Sequence, residues 1–149
     1  MKTYIFDIDG TIANNDHRQH HLTKTPKDWS SWHKESQEDK PYWEIVDILM
    51  MARANGIKIV LCTGRDEKCR KDTVYWFTHH HIPYDELYMR KSGDRRDDDV
   101  VKYELLEQIR AGVPVFELFF REAERTYLDA LQLAAQYGSE AEHITAHHH

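Results

Sequence analysis

Residues 3–11 read TYIFDIDGT, an apolar, β-prone run that ends in two aspartates and a glycine. This pattern predicts a buried strand from Thr3 to Ile8 with Asp7 and Asp9 at its carboxyl end. Two residues apart on an extended chain, the two carboxylates point the same way, and two like charges so placed need a shared cation. Mg²⁺, which prefers hard oxygen ligands, is the natural partner, and Gly10 permits a sharp exit from the strand.

Strand-like and helix-like segments alternate along the rest of the chain. The predicted strands are Ile57–Cys62, Glu86–Met89 and Val115–Phe120. The predicted helices are Tyr42–Asn55 (stopped by Gly56), a segment from about residue 66 to His80, Val100–Arg110 and Arg121–Tyr137. This alternation predicts an α/β fold: a doubly wound, mainly parallel sheet with helices on both faces. Ligands bind such sheets beyond the carboxyl ends of the strands.

Length and composition favour one globular domain over residues 1–146. The chain has 149 residues, is 40% hydrophobic and carries a net charge of −6. The polar segment 12–41 reads as a small cap-like insertion after the first strand, and residues 147–149 as a tag remnant. Two cysteines, no long apolar run and no secretory signal predict a cytoplasmic protein without a membrane span. The acidic balance disfavours coating nucleic acid by bulk charge but permits a local phosphate site.

Phe6–Thr11 resembles the first motif of the haloacid dehalogenase superfamily of phosphotransferases. The resemblance implies a Rossmann-like fold and a Mg²⁺ cofactor. It also implies that Asp7 is a nucleophile that forms an aspartyl-phosphate, while Asp9 acts first as general acid and then as general base. Splitting phosphoryl transfer into two easier steps is what a carboxylate nucleophile does.

Leu61–Arg65 resembles the superfamily's second motif. The resemblance implies that Thr63 donates to a phosphate oxygen and that Gly64 lets the backbone approach it. We expect backbone amides at the start of the following helix to favour the anion. The alternative role of Thr63 is to cap that helix, and both roles can hold together.

Asp98–Lys102 resembles the Asp-x-x-x-Lys motif of the 3′-phosphatase domain of polynucleotide kinase-phosphatases. The resemblance implies that Lys102 neutralises the nucleophile and the phosphate, and that Asp98 orients Lys102 or helps to hold the metal. Spacing of i, i+4 on a first helical turn lets the two side chains pair. Lys91 is the rival for the motif lysine.

The same subfamily resemblance extends to several arginines. Arg18 lies eleven residues after Asp7, and Arg65 follows the motif threonine; both are implied to bind substrate. Arg95 and Arg96 stand in a charged loop similar to the subfamily's, and the alternative for them is a solvated loop. The implied substrate is a phosphorylated nucleotide or a nucleic-acid 3′ end.

The fourth motif departs from the family pattern. A pair of acidic residues is expected after the fourth strand, but the chain has Arg121 and Glu122 there. A guanidinium cannot ligate a metal. Three alternatives stay open: Glu122 reaches the metal, Asp98 compensates for the missing acidic ligand, or metal binding is weak and the protein is a catalytically impaired relative. The segment 113–146 therefore reads as divergent, and its strand can also pair with a second subunit, which leaves a homodimer open.

Aromatic residues and histidines cluster in and beside the insertion: Trp29, Trp32, Tyr42, Trp43, His17, His20 and His21. The aromatic side chains can stack on a base, but closing the core of a small domain is their more frequent role. The histidines lack the partners of a zinc site and read as loop residues near the substrate mouth.

Together these features predict a Mg²⁺-dependent phosphomonoesterase that works through an aspartyl-phosphate. A nucleic-acid 3′-phosphate or a nucleotide is the expected substrate. Two alternatives remain: a catalytically impaired phosphate-binding or interaction module, and a small-molecule nucleotidase or acid phosphatase.

Overall fold

The structure, a computed structural model, describes residues 2–113, 116–120 and 144–148. Its strands are β1 (Thr3–Phe6), β2 (Ala13–Asn14), β3 (Lys40–Pro41), β4 (Lys58–Asp66), β5 (Glu86–Arg90), β6 (Phe116–Phe120) and β7 (Ile144–His148). Its α-helices are α1 (Trp29–Lys34), α2 (Trp43–Ala54), α3 (Arg70–His79) and α4 (Asp98–Gly112). Short 3₁₀ turns cover Asp16–Leu22, Glu35–Glu38 and Glu67–Cys69.

Five strands form one parallel sheet in the order β5-β4-β1-β6-β7. β1 lies at its centre, so the residues that follow β1 emerge between the carboxyl ends of β4 and β6. β2 and β3 pair antiparallel within the insertion. The predicted α/β fold with a parallel sheet is confirmed, while a single domain over 1–146 stays a prediction.

Helices pack on both faces of the sheet, as predicted. One buried cluster joins β1 and β4 to α2 and α3 through residues that include Phe6, Leu61, Leu49 and Phe77. A second cluster joins the opposite face to α4, with Ile5, Val60, Val101, Leu105 and Ile109 among its members. A strand buried on both faces needs a continuous apolar run, which is what β1 and β4 supply.

The α2 helix shows how local sequence sets an element. Ile45, Leu49 and Ala52 recur at helical spacing and are buried against the sheet. The helix stops because Gly56 adopts a φ of +78° and its N–H donates to the Arg53 carbonyl at 3.0 Å. Glycine takes that left-handed conformation without steric cost, so the predicted stop at Gly56 is confirmed.

The predicted strand Ile57–Cys62 is shorter than the strand in the structure. Instead of ending at Cys62, β4 continues to Asp66, and its pairing register with β5 shifts between Cys62 and Asp66. Such an irregularity lets a strand continue while it re-aims its side chains. The predicted helix that ends at about His80 is confirmed as α3, but its predicted start at about residue 66 is wrong for the same reason: α3 begins at Arg70, after the turn Glu67–Cys69.

Other boundaries differ by a few residues, since β1 ends at Phe6 and α4 covers Asp98–Gly112. The predicted helix Arg121–Tyr137 lies outside the described residues, as do Val115 and both residues at the fourth-motif position. His147 and His148, interpreted as part of a tag, lie in β7 alongside β6. Within the described residues, no helix is long and apolar enough to cross a membrane.

Candidate active site

The Asp7 carboxylate lies at the carboxyl end of the central strand. Its side chain is 1% exposed, and its backbone N–H donates to the Phe119 carbonyl of β6 at 3.1 Å. Thr11 Oγ1 donates to Asp7 Oδ2 at 3.3 Å, and Lys102 Nζ lies 3.8 Å from Asp7 Oδ1. Asp7 is therefore a buried carboxyl group with a cation and a hydroxyl beside it, which are the partners that such a group requires when it is buried.

A tight turn after Asp7 brings Asp9 back to the same edge. The Ile8 carbonyl accepts hydrogen bonds from the N–H groups of Thr11 and Ala13, and Gly10 has a φ of +79°. A left-handed residue is needed there to fold the chain so sharply, which explains the glycine in the motif.

Two arginines hold the Asp9 carboxylate. Arg65 donates twice, from Nε to Oδ2 at 2.9 Å and from Nη2 to Oδ1 at 2.7 Å. Arg18 Nη2 donates to Oδ1 at 2.9 Å. The Asp9 side chain is 20% exposed, so it is accessible from the cavity although the two arginines bind its oxygens.

These charges set the protonation of Asp9. Burial raises the pKa of its carboxyl, but the charge and hydrogen bonds of Arg65, with the charges of Arg18 and Lys102, outweigh burial and hold that pKa well below its ordinary value of 3.8. Asp9 is therefore a carboxylate at neutral pH. A general-acid role requires that something first weakens its contact with arginine.

Arg18 also binds Asp39, a residue that sequence reasoning missed. Arg18 Nε and Nη2 donate to the two Asp39 oxygens at 2.9 and 2.8 Å, and Nη1 donates to the Trp32 carbonyl at 2.9 Å. Both side chains are fully buried. Arg18 does not line the cavity and holds Asp9 from its buried side, so its binding of substrate stays a prediction that these contacts do not support.

Arg65 does line the cavity, as predicted for a residue that meets substrate. Its side chain is only 5% exposed, and Nη1 donates to Thr73 Oγ1 at 3.1 Å. Asp39 lies 3.7 Å away. The guanidinium thus stands between the cavity and the buried ion pairs.

Thr63 and Gly64 lie inside β4, next to Asp7 and Asp9 in the cavity wall. Thr63 is 1% exposed and its Oγ1 accepts a hydrogen bond from the Arg65 N–H at 3.2 Å. No helix begins here, so the predicted helix amides for the anion and the predicted capping role of Thr63 are both wrong. A Cβ on Gly64 would overlap Asp98 Oδ1 and lie 3.0 Å from its Cγ, which explains why a glycine stands there.

Lys102, and not Lys91, is the lysine beside Asp7. The Lys102 side chain is 5% exposed, and its Nζ lies 3.1 Å from Asp98 Oδ2, one turn earlier on α4. Arg90 Nη2 donates to the other Asp98 oxygen at 2.9 Å. Asp98 thus orients Lys102, which is one of the two roles expected of it, whereas Lys91 is exposed.

The charged loop before α4 offers two further arginines to the same cavity. Arg96 is bound by Asp94 at 2.8 Å and by Glu104 at 2.6 Å, and the bonds from Arg96 lower the pKa of Asp94 to about 2. Arg95 is exposed. The carboxylates on Arg96 leave Arg95 as the more available cation for a ligand.

These side chains share a cavity of about 1390 Å³. Asp7, Asp9, Thr63, Arg65 and Lys102 line its floor, and residues of the insertion line its rim. His17, His20 and His21 are not in its wall: His17 binds Asp39 at 2.7 Å and His21 binds Glu35 at 2.8 Å. Their chain neighbours Asp16, Gln19 and Leu22 do line the cavity, so the histidines lie in a loop near its mouth, as predicted, but their side chains are not part of its wall.

The tryptophans in and beside the insertion divide into two classes, buried and exposed. Trp32 is 9% exposed and belongs to the core, as favoured from the sequence. Trp29 and Trp43 are 49% and 55% exposed, so the core interpretation is wrong for both.

A divalent ion fits the donor chemistry of this floor. Asp7 presents a buried carboxylate and Asp9 a second one, and Mg²⁺ needs only one or two carboxylates when waters and a substrate phosphate complete its shell. Within the described residues, no three His, Cys, Asp or Glu side chains are grouped to hold a metal by themselves. Asp9 is bound by Arg65 and Arg18, and Asp98 by Arg90 and Lys102, so either side chain would bind a metal only by giving up one of these contacts. Glu122 lies outside the described residues.

Residues 1–115 match the family model of the polynucleotide kinase PNKP phosphatase domain. No significant sequence match joins the chain to a curated protein. A chain of the Pnkp1/Rnl/Hen1 RNA repair complex is similar in structure, with a TM-score of 0.76 and 24% identity over 99% of this chain and 42% of that one. This chain thus spans less than half of that neighbour's length.

Two hydrolases share the fold at lower identity. A hydrolase from Streptococcus pneumoniae TIGR4 has a TM-score of 0.63 and 15% identity, over 97% of this chain and 90% of that one. A class C acid phosphatase from Bacillus anthracis, with tungstate bound, has a TM-score of 0.60 and 12% identity, over 99% and 66%. At such identities the likeness concerns the fold alone.

Proposed function

Because this chain belongs to the family of polynucleotide kinase PNKP phosphatase domains, within the haloacid dehalogenase superfamily, and is a phosphatase by that membership, we propose that it is a Mg²⁺-dependent phosphomonoesterase that removes a terminal phosphate from a nucleic-acid 3′ end or a nucleotide. One observation carries the proposal. One cavity at the carboxyl edge of the sheet is lined by functional side chains from separate stretches of chain: Asp7, Asp9, Thr63, Arg65 and Lys102.

In the first step an Asp7 oxygen attacks phosphorus, and the bond from phosphorus to the ester oxygen breaks. Lys102, 3.8 Å from Asp7 Oδ1, places a positive charge beside the nucleophile and attracts the phosphate. Thr63, which lines the same cavity, donates its hydroxyl to a non-bridging oxygen. Charge stabilisation of this kind, on positioned groups, supplies most of the catalysis in phosphoryl transfer.

Asp9 must carry a proton to release the ester oxygen as an alcohol. In the resting site the contact with Arg65 keeps its pKa too low for that. An incoming phosphate dianion competes for the Arg65 guanidinium, which lines the cavity, and this weakens the contact with Asp9. The charges of Arg18 and Lys102 then remain as the groups that oppose the effect of burial on the pKa of Asp9, so proton uptake becomes easier, and Arg18 continues to fix the side chain's position.

In the second step Asp9, again a carboxylate, takes a proton from water as the water oxygen attacks phosphorus. The bond from phosphorus to Asp7 breaks, and inorganic phosphate leaves. Bound Mg²⁺, held by Asp7 and Asp9, would supply further positive charge to the phosphate oxygens.

The test is phosphate release from a 3′-phosphorylated oligonucleotide in Mg²⁺, for the wild type and for Asp7→Asn. We expect Asp7→Asn to abolish turnover, and an acid quench of the wild type to trap phosphate covalently on the protein. Asp16→Asn is the matched control, because Asp16 also lines the cavity but is exposed. Unchanged turnover by Asp7→Asn would falsify the mechanism.

A phosphate-binding module without turnover is the second candidate. Two observations favour it: Arg121 stands at a position where the family carries an acidic residue, and Arg65 binds the Asp9 carboxylate closely. Phosphate binding without release of phosphate from any ester, with turnover gained in Arg121→Asp, would favour it over the enzyme.

A further inference from the structure

Trp29 stands at the rim of the catalytic cavity and keeps half of its side chain in solvent. It is 49% exposed and lines the same cavity as Asp7 and Lys102. Single exposed apolar side chains are common on protein surfaces and need no explanation by themselves. Trp29 differs from them because it lines the cavity that holds Asp7 and Lys102.

Its neighbours hold the Trp29 ring in place. The ring packs edge-on against Trp32 with centroids 5.7 Å apart, and it stacks on His33 with centroids 6.2 Å apart and planes at 29°. The Asp28 carboxylate fixes the start of α1 by accepting from the Ser31 N–H at 3.0 Å. A ring fixed in this way loses little conformational freedom when a ligand stacks on it.

The same contacts join Trp29 to the catalytic residues. Trp32 lies under Arg18, whose guanidinium carbon is 4.0 Å from the ring centroid, and Arg18 binds Asp9. Trp29 is thus two side-chain contacts from the guanidinium that positions Asp9.

The rim also combines this aromatic surface with exposed cations. Lys27 Nζ lies 5.7 Å from the Trp29 ring centroid, and Lys68 lines the cavity. Burial, with the charges of Arg18 and Lys68, lowers the pKa of His33, so its ring is neutral at neutral pH. A neutral aromatic platform flanked by lysines is the pattern that binds single-stranded nucleic acid.

We propose that Trp29, backed by His33, forms a stacking subsite for the base of the nucleotide that carries the terminal phosphate. This inference rests on the proposed function and narrows it. The substrate would be a nucleoside phosphate or an oligonucleotide end, and a phosphate ester without a base would lose the contribution of this subsite. Stacking tolerates any base, because every base has a π face.

The test compares two oligonucleotides that share a 3′-terminal phosphate. One ends in an ordinary nucleotide, and the other ends in a tetrahydrofuran residue that lacks only the base. Trp29→Ala should reduce kcat/KM for the first by roughly 5- to 150-fold, the range that loss of base–aromatic stacking produces, and leave the second within about 2-fold. Trp29→Phe should restore most of the loss.

Trp43→Ala is the matched control, because Trp43 is 55% exposed but does not line the cavity; it should change neither substrate. Equal losses on both substrates with Trp29→Ala, or no loss on either, would overturn the stacking subsite.

Affinity provides a readout independent of turnover. In an Asp7→Asn background, fluorescence anisotropy of the two labelled oligonucleotides should show a preference for the one with a terminal base, and Trp29→Ala should remove it. Should the wild type release no phosphate from either oligonucleotide, the proposed function fails, and this difference in affinity still decides the subsite. A preference that survives Trp29→Ala unchanged, or no preference before that substitution, would refute it.

Discussion

Replacing Arg65 with methionine tests whether the buried grip on Asp9 stabilises the domain. The substitution removes two hydrogen bonds to Asp9, at 2.9 and 2.7 Å, and one to Thr73 at 3.1 Å. Breaking a buried ion pair from one side costs about 3–5 kcal/mol. Because Asp9 keeps Arg18 and is 20% exposed, we expect the lower end, about 3 kcal/mol. For a domain of this size that lowers Tm by roughly 6–12 °C.

Arg70→Met is the matched control. Arg70 also donates twice to one carboxylate, Glu67, at 2.7 and 2.7 Å, but the two side chains are 41% and 38% exposed. Exposed ion pairs contribute about 0–1 kcal/mol, so Tm should fall by no more than about 4 °C. Thermal unfolding at pH 7, followed by circular dichroism, measures both variants. A loss for Arg65→Met no larger than that for Arg70→Met would refute the reasoning.

The pH dependence gives a second measure of the same contact. The folded-state pKa of Asp9 is depressed, so its contribution to stability is complete above about pH 3.8 and is lost as the pH falls below that value. The difference in Tm between the wild type and Arg65→Met should therefore be full at pH 7 and shrink on the acid side of 3.8. A difference that grows in acid would contradict the depressed pKa.

Two further pairs of variants test the site. Lys102→Met should lower kcat for phosphate release by about 10²-fold or more, because it removes the cation 3.8 Å from Asp7. The control Lys91→Met should leave the rate of phosphate release within about 3-fold of the wild type. Equal losses in the two variants would contradict the assignment of Lys102 as the motif lysine. Gly64→Ala should displace Asp98 and cost activity, whereas Gly112→Ala, where a Cβ meets nothing within 4 Å, should be neutral; a fully active Gly64→Ala would show that the close approach is dispensable.

The sequence alone was enough for the sheet and for the residues at its carboxyl edge. The alternation of apolar strands with amphipathic helices predicts the fold, and the strand that precedes Asp7 predicts the position of Asp7 at the edge of the sheet. Both predictions succeed because they depend on local sequence patterns. The Asp-x-x-x-Lys resemblance favours Lys102 over Lys91, and the Lys102 side chain is the one beside Asp7. Local patterns failed at β4, where the register shift that carries Thr63 within the strand depends on pairing with β5.

The ion pairs around Asp9 could not be predicted in this way. Asp39 is one of several acidic residues in a polar segment, with Glu35 and Glu38 just before it, and nothing in the sequence marks it as the fully buried one. Its partner Arg18 lies 21 residues away. A buried arginine with two carboxylate partners is a property of the folded insertion, so a role assigned to Arg18 from motif spacing alone, as a substrate ligand, missed its actual contacts.

The same ion pairs fasten the insertion to the rest of the domain. Arg18 joins Asp9 to Asp39 and to the Trp32 carbonyl, and Trp76 Nε1 of α3 donates to the Asp39 carbonyl at 2.9 Å. We therefore expect the segment that shapes the cavity to unfold together with the core and not to open as a separate unit. Its ordering entropy is lost during folding, before any ligand arrives, so ligand binding should carry only the small heat-capacity change of a rigid cavity.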